Sequence, residues 1–166
     1  MAGTSVRGAE PPLVLRPFQS EDEAGVVAVL EDTFHSTWAP QLRPEALERH
    51  AREGRALAYV RERGPEFLLA CDGQAILGMV HWEGDFIQAL HVTGTAQRRG
   101  VGRALLAHAE TQIAKAGLPA VRLETDTFNI RARAFYAALG YHEVDTYPDE
   151  EWDSGLTTLL LEKTLG

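Results

Sequence analysis

Residues 86–107, FIQALHVTGTAQRRGVGRALLA, concentrate the chemistry of this chain. The apolar run over residues 86–92 predicts a β-strand, and a polar loop follows it. Residues 100–116 predict a helix, because Val101, Leu105, Ala109 and Ile113 recur at helical spacing. Gly117 and Pro119 stop it. Gln97-Arg98-Arg99-Gly100-Val101-Gly102 stands at the loop-to-helix junction, with Arg103 next in line. Glycine turns tightly and lets a ligand approach the backbone with no Cβ in the way. The N–H groups of a first helical turn have no partner within the helix, and the helix dipole is positive there. Arg98, Arg99 and Arg103 add formal charge beside them. An anion is expected at this junction, most simply a phosphate or pyrophosphate. A glycine-rich helix start with solvated arginines is the plainer alternative.

The common nucleotide loops do not fit. A P-loop needs Lys and then Ser or Thr after its last glycine, whereas Arg103-Ala104 follows Gly102. A dinucleotide loop needs a third Gly or Ala where Leu105 stands.

The 166 residues suit one domain with a substantial core, with residues 1–12 as a flexible tail and 13–166 as the domain. A net charge of −8 argues against nonspecific nucleic-acid binding, so the local arginines point to a small bound anion. Cys71 is the one cysteine, which fits a reducing cytoplasm, and its apolar flanks predict a buried, inert thiol. No apolar run reaches membrane-spanning length, so no membrane partner is expected.

Residues 13–16 predict a first strand, and Ser20 with Glu23 a capping box for a helix through Phe34, with Val26, Val27 and Leu30 inward. Residues 33–42 predict a loop with His35, Trp38 and Pro40, and Pro44 starts a charged helix to about Arg52; an acceptor against this region and plain core aromatics with solvated charges are the two readings. Residues 56–60 fit either a helix or a short strand. Strands are expected at 66–71 and 75–82, and a hairpin turn at Gly84-Asp85. That hairpin would pair Glu83 with Phe86, His81 with Gln88, Met79 with Leu90 and Leu77 with Val92. Leu77, Met79, Leu90 and Val92 would then share one apolar face. Ile76, Val80, Trp82, Ile87 and Ala89 would share the other, so helices should cover both. In this register His91 faces away from His81 and Glu83, which argues against a metal site among them. Residues 120–125 give a strand parallel to 86–92 through a right-handed crossover. Asn129 caps a helix over 130–139, and antiparallel strands at 141–147 and 156–165 flank an acidic loop, residues 148–155.

The pattern Gln-x-x-Gly-x-Gly, after a strand ending Leu90-His91-Val92, resembles the pyrophosphate loop of the GCN5-related N-acetyltransferase (GNAT) family. A second segment, Asn129 to Tyr141 with its Ala-x-x-Phe-Tyr-x-x-Leu-Gly-Tyr, is similar to that family's Asn…Ala-x-x-Phe-Tyr-x-x-Leu-Gly-Phe. Tyr141 replaces the usual Phe. The element order looks like the family's over nearly the whole chain. The resemblance implies an α/β acyl-CoA N-acyltransferase fold. Its sheet is mixed, mostly antiparallel and of about seven strands, with helices on both faces and a splayed parallel strand pair.

The resemblance also implies acetyl-CoA as co-substrate. Leu90, His91 and Val92 would meet its pantetheine arm, and Gln97, Arg98, Arg99, Gly100, Val101, Gly102 and Arg103 its pyrophosphate. Asn129 and Tyr136 would complete the cofactor contacts, although an Asn129 oxygen committed to capping its helix is not free for both roles. The implied chemistry is direct transfer of an acetyl group to a primary amine. Such an amine, with a pKa near ~10, must lose a proton before attack, and a departing thiolate benefits from a proton donor. Tyr136 matches the family's acid and Glu124 the carboxylate that some members use as base. His91, Glu83 or water compete with Glu124 for that role. The acidic loop with Trp152 suits a cationic acceptor, by field and by aromatic contact with an ammonium. Small-molecule and protein amines stay open as acceptors, as do a noncatalytic CoA-binding or sensor protein and an unrelated phosphate-binding module. A homodimer is among the states the resemblance implies.

Overall fold

The computed structural model describes residues 13–150 and 153–166. Its strands are β1 (Val14–Pro17), β2 (Leu68–Asp72), β3 (Ala75–Glu83), β4 (Phe86–Val92), β5 (Ala120–Asp126), β6 (His142–Pro148) and β7 (Thr157–Thr164). They form one seven-stranded sheet in the order β1-β2-β3-β4-β5-β7-β6. β4 and β5 run parallel and every other neighbouring pair antiparallel, as expected for the mixed fold. The helices are α1 (Glu23–Thr33), α2 (Pro44–Glu53), α3 (Arg55–Arg63), α4 (Val101–Lys115) and α5 (Ile130–Ala138). Among the described residues, no helix is long and apolar enough to cross a membrane.

Both faces of the sheet are buried. Leu105, Leu106 and Ile113 of α4 pack with Val80, Ile87 and Leu123 on one face. On the other, Val26 and Leu30 of α1 and Val60 of α3 pack with Leu69 and Met79. Continuous apolar strands follow from this two-sided cover. Residues 56–60, open between helix and strand, lie in α3, where Ala56 and Val60 are buried four residues apart. Cys71 is buried as expected, and burial raises its thiol pKa.

Three local expectations are corrected. The Ser20–Glu23 capping box does not form; residues Ser20–Asp22 make a 3-10 turn, and Asp22 accepts the Gln19 N–H at 2.8 Å. Asp22 also takes the Arg16 guanidinium in a fork at 2.7 and 2.8 Å. A carboxylate with two charge-assisted bonds outcompetes a serine hydroxyl for this end of the helix. The expected loop over 33–42 is instead a π-turn at Phe34–Trp38 and a 3-10 turn at Ala39–Gln41. Pro40 falls at the start of the short turn, where its missing N–H has no partner to lose.

The third correction is the β3–β4 register. Glu83 pairs with Phe86 and Trp82 with Ile87, but His81 pairs with Ala89, leaving Gln88 as a bulge. Met79 then faces His91, Val80 faces Leu90 and Gly78 faces Val92, in place of the expected Met79–Leu90 and Leu77–Val92 pairs. A second irregularity lies at Leu77, since Ala70 pairs with Gly78 and Cys71 with Ile76. Leu77, Val80, Leu90 and Val92 therefore pack together under α4, while Met79, Ile76 and Ala89 face α1 and α3.

Candidate functional site

β4 and β5 pair at Phe86–Arg122 and Ile87–Leu123 and nowhere beyond. Past that point the strands part, so Leu90, His91 and Val92 present to the gap an edge that β5 does not pair. Unpaired backbone groups at the carboxyl end of a parallel strand are where a ligand of such a sheet lies.

The loop leaving β4 carries Arg98 at φ +68° and Gly100 at φ +77°, both left-handed. Gly100 suits that conformation because it has no Cβ. No side chain caps α4, and the bond closing its first turn runs from Ala104 N–H to Gly100 O at 3.0 Å. The amides before Ala104 therefore lack helical acceptors and point out of the helix start. Arg98, Arg99 and Arg103 are exposed around them. Arg99 lies 3.5 Å from Asp72, and the Gln97 side-chain oxygen accepts from Arg131 of α5 at 2.9 Å. Fixed amide dipoles and guanidinium charge on one spot favour an anion.

α5 closes the same corner. Asn129 Oδ1 accepts the Ala132 N–H at 3.1 Å, so its oxygen serves as the helix cap. A Cβ on Gly102 would sit 3.4 Å from Phe135 and 3.5 Å from Val92, which places the α4 start, the β4 end and the Phe135-Tyr136 pair against one another. Tyr136 packs edge-on to Phe135 at 5.1 Å and to Tyr141 at 5.6 Å. Burial raises its phenol pKa well above the tyrosine range, so the group keeps its proton at neutral pH.

The opposite face of β5 carries Glu124 and Asp126, two residues apart and so on one side of the strand. Glu124 is exposed and accepts the Tyr147 hydroxyl at 2.6 Å. Asp126 accepts the Trp38 indole N–H at 2.7 Å. Burial raises its carboxyl pKa above the usual value; the Trp38 bond opposes that rise, and the charges of Asp149 and Glu124 add to it. The Trp38 ring lies 5.9 Å from that of His91.

His91 Nδ1 stands 2.8 Å from the Thr33 hydroxyl of α1, and burial pushes the ring's pKa down to about 4. It is therefore neutral at physiological pH. Contrary to the expected register, His91 lies on the same sheet face as His81 and Glu83, because the Gln88 bulge shifts the parity of β4. Glu83, the other competing base, sits at the hairpin end of β3, away from the gap, and pairs with Arg63.

Asp126 escaped the sequence reading, while its partner Trp38 stands in the segment that reading set against an acceptor. Residues 120–125 were expected as the strand, and one more residue would have put Asp126 beside Glu124. Within the acidic loop, Asp149 N–H donates to Leu156 O at 2.9 Å and Ser154 donates to the Asp149 carboxylate. Trp152 lies outside the described residues.

Several solved structures share this architecture. The PaiA N-acetyltransferase from Thermoplasma acidophilum, in complex with coenzyme A, superposes with a TM-score of 0.72 at 20% identity over 93% of this chain and 99% of that one. Apo YjaB from Escherichia coli gives 0.74 at 19% over 91% and 97%. The ribosomal-protein-S18-alanine N-acetyltransferase from Escherichia coli gives 0.68 at 17% over 93% and 95%. Comparison with curated protein sequences gives no match. The profile of the family described as Acetyltransferase (GNAT) matches residues 26–141. With the strand gap, the amide-rich helix start and the Phe-Tyr corner inside that span, the chain belongs to the acetyltransferase (GNAT) family.

Proposed function

We propose that this protein moves an acetyl group from acetyl-CoA to a primary amine by direct transfer, within one domain over residues 13–166 and in the cytoplasm. The observation carrying this reading is the meeting of three parts at one corner: the unpaired edge of β4, the open amides at Gly100 and Gly102, and Tyr136 beside Phe135. The family match and the coenzyme A held by the PaiA structure support it.

In this reading the diphosphate lies on the amides of residues 98–103 among Arg98, Arg99 and Arg103. The pantetheine arm follows Leu90, His91 and Val92, with the Asn129 amide nitrogen as a further contact. The thioester then reaches the gap with Tyr136 on the α5 side. The amine enters from the other face, past Glu124, Asp126 and Trp38. Glu124 takes a proton from the ammonium, the freed nitrogen attacks the carbonyl carbon to form the C–N bond, and the C–S bond breaks as that nitrogen sheds its second proton to solvent. Tyr136 gives its proton to the departing sulfur and is reprotonated from solvent. His91, neutral and bonded to Thr33, orients the wall of the gap rather than serving as the base.

The carboxylates on the amine face, with Asp149 near them, suit a cationic acceptor. The test is thiol release with acetyl-CoA and a panel of polyamines, aminoglycosides and peptides with free amino termini, with products identified by mass. Thermal melts with acetyl-CoA, CoA, ATP and NAD run beside it, since a ligand that binds the folded state raises Tm. Stabilisation by CoA with no transfer to any amine would favour a sensor; stabilisation by ATP or NAD alone would overturn the reading.

A further inference from the structure

At the far end of β3, away from the gap, a different group of side chains converges. Glu66 ends the 3-10 turn after α3, and His81 and Glu83 lie on β3 two residues apart, on the face toward α3. One ligand atom from each of the three falls within 4.8 Å of the others. His81 Nε2 lies 3.6 Å from a Glu66 oxygen and 3.7 Å from a Glu83 oxygen. Tetrahedral ligands at zinc bond lengths of about 2.0–2.2 Å stand about 3.3–3.6 Å apart, which the two imidazole–carboxylate distances nearly match.

The histidine is the telling member. Its side chain is 2% exposed, and Nε2 is buried with no hydrogen-bond partner. An unpartnered buried polar atom costs stability and calls for a reason. The other ring nitrogen, Nδ1, lies 2.5 Å from the Tyr59 hydroxyl. When Nδ1 carries the proton and donates it to Tyr59, the lone pair of Nε2 points at the two carboxylates. A ligating imidazole is usually held in this way, its outer nitrogen bonded to a second group that fixes tautomer and ring.

Arg63 now spans the carboxylates, bonding Glu66 at 2.8 Å and pairing with Glu83. Its charge balances only one of the two anions, and its side chain is 36% exposed, so it can swing into solvent. A dication would balance both. We propose that Glu66, His81 and Glu83 form a divalent-cation site of zinc type, with Arg63 as the side chain that leaves when the ion enters. One imidazole and two carboxylates suit zinc better than the all-oxygen cages of calcium or magnesium, and a fourth position falls to water. Such an ion would clamp the end of α3 to the β3–β4 hairpin, remote from the proposed acyl transfer.

A second group sets the control. Glu31 lies 3.3 Å from His35 Nε2 and 3.4 Å from His50 Nε2 and could take zinc on its own account. The experiment uses the full-length protein, stripped with EDTA and exchanged into chelator-free buffer at pH 7.5, titrated with ZnCl2 by calorimetry and melted with and without the ion. One zinc per chain is expected, with a Tm rise of about 5–10 °C at a hundredfold excess over Kd. Glu83→Gln and Glu66→Gln, both at exposed positions, should each weaken binding tenfold or more. His35→Ala should leave binding unchanged, and Arg63→Gln should tighten it. No zinc heat in either the wild type or Arg63→Gln would overturn the proposal. So would binding that survives Glu83→Gln and vanishes with His35→Ala.

Discussion

Gly78→Ala tests how closely the site is welded to the core. A methyl at Gly78 would come 2.7 Å from the His91 carbonyl oxygen, 3.2 Å from Leu105 Cδ1 and 3.3 Å from Val101 Cγ1. The first of these atoms is backbone in β4 and cannot swing aside, so the strand or α4 must move. Overpacking of this kind costs about 1–3 kcal/mol, against about 0.4–1 kcal/mol gained because alanine leaves the unfolded chain less free. A net loss of about 1–2 kcal/mol lowers Tm by about 2–8 °C for a chain of this size. Gly25→Ala supplies the contrast. Its Cβ would also meet an atom at 2.7 Å, but that atom is Ile76 Cδ1, the tip of a flexible side chain. Gly25 lies in α1, where alanine is favoured by about 0.5–1 kcal/mol, so this variant should match or exceed the wild type. Differential scanning calorimetry reads both, and a CoA titration should show weaker binding for Gly78→Ala alone, because His91 and Val101 border the gap and the helix start. Equal destabilisation by the two variants, or none by Gly78→Ala, would refute the distinction between a backbone clash and a side-chain one.

Gly100→Ala meets nothing within 4 Å, so any effect comes from holding alanine at φ +77°. A cost of about 1–2 kcal/mol is expected, with CoA affinity falling alongside Tm. Tyr136→Phe keeps the packing and removes the proton donor, so kcat should drop by about 10²-fold or more while the Kd for CoA holds. A change in Kd without one in kcat would assign Tyr136 to binding. His91 has a folded pKa of about 4 against 6.5, so the unfolded chain binds its proton first and stability falls as pH drops from about 6.5 towards 4. With the ring half-buried, that loss is about 1–3 kcal/mol; His91→Gln should lack it when urea melts at pH 7 and pH 4 are compared.

The parts of the fold written in local chemistry were legible. The left-handed Gly100, the stop at Gly117 and Pro119, and the Asn129 cap each state a backbone conformation directly, and the strand-helix-strand order dictates the parallel pair. The register of β4 was not. Both faces of β3 and β4 are apolar, so alternation cannot signal a bulge at Gln88, and the slip moved His91 across the sheet. Asp126 was missed for a related reason. Its role depends on Trp38, 88 residues earlier, and on burial that only the assembled layers impose. The Glu66–His81–Glu83 group likewise needs the turn after α3 to be placed against a strand. Residues 34–41 coil where a loop was expected, because helical turns can continue without any strong local stop.

The two ladder pairs between β4 and β5 have a mechanical meaning. The sheet is two antiparallel rafts, one of β1 to β4 and one of β5, β7 and β6, riveted at Phe86–Arg122 and Ile87–Leu123. Apart from those rivets, cohesion between the rafts rests on the helices and side chains laid across the seam. A molecule wedged into the open end substitutes for the missing rungs and bonds both rafts at once. Its binding should therefore slow amide exchange along Leu90–Val92 and along the far half of β5 together, as one cooperative unit.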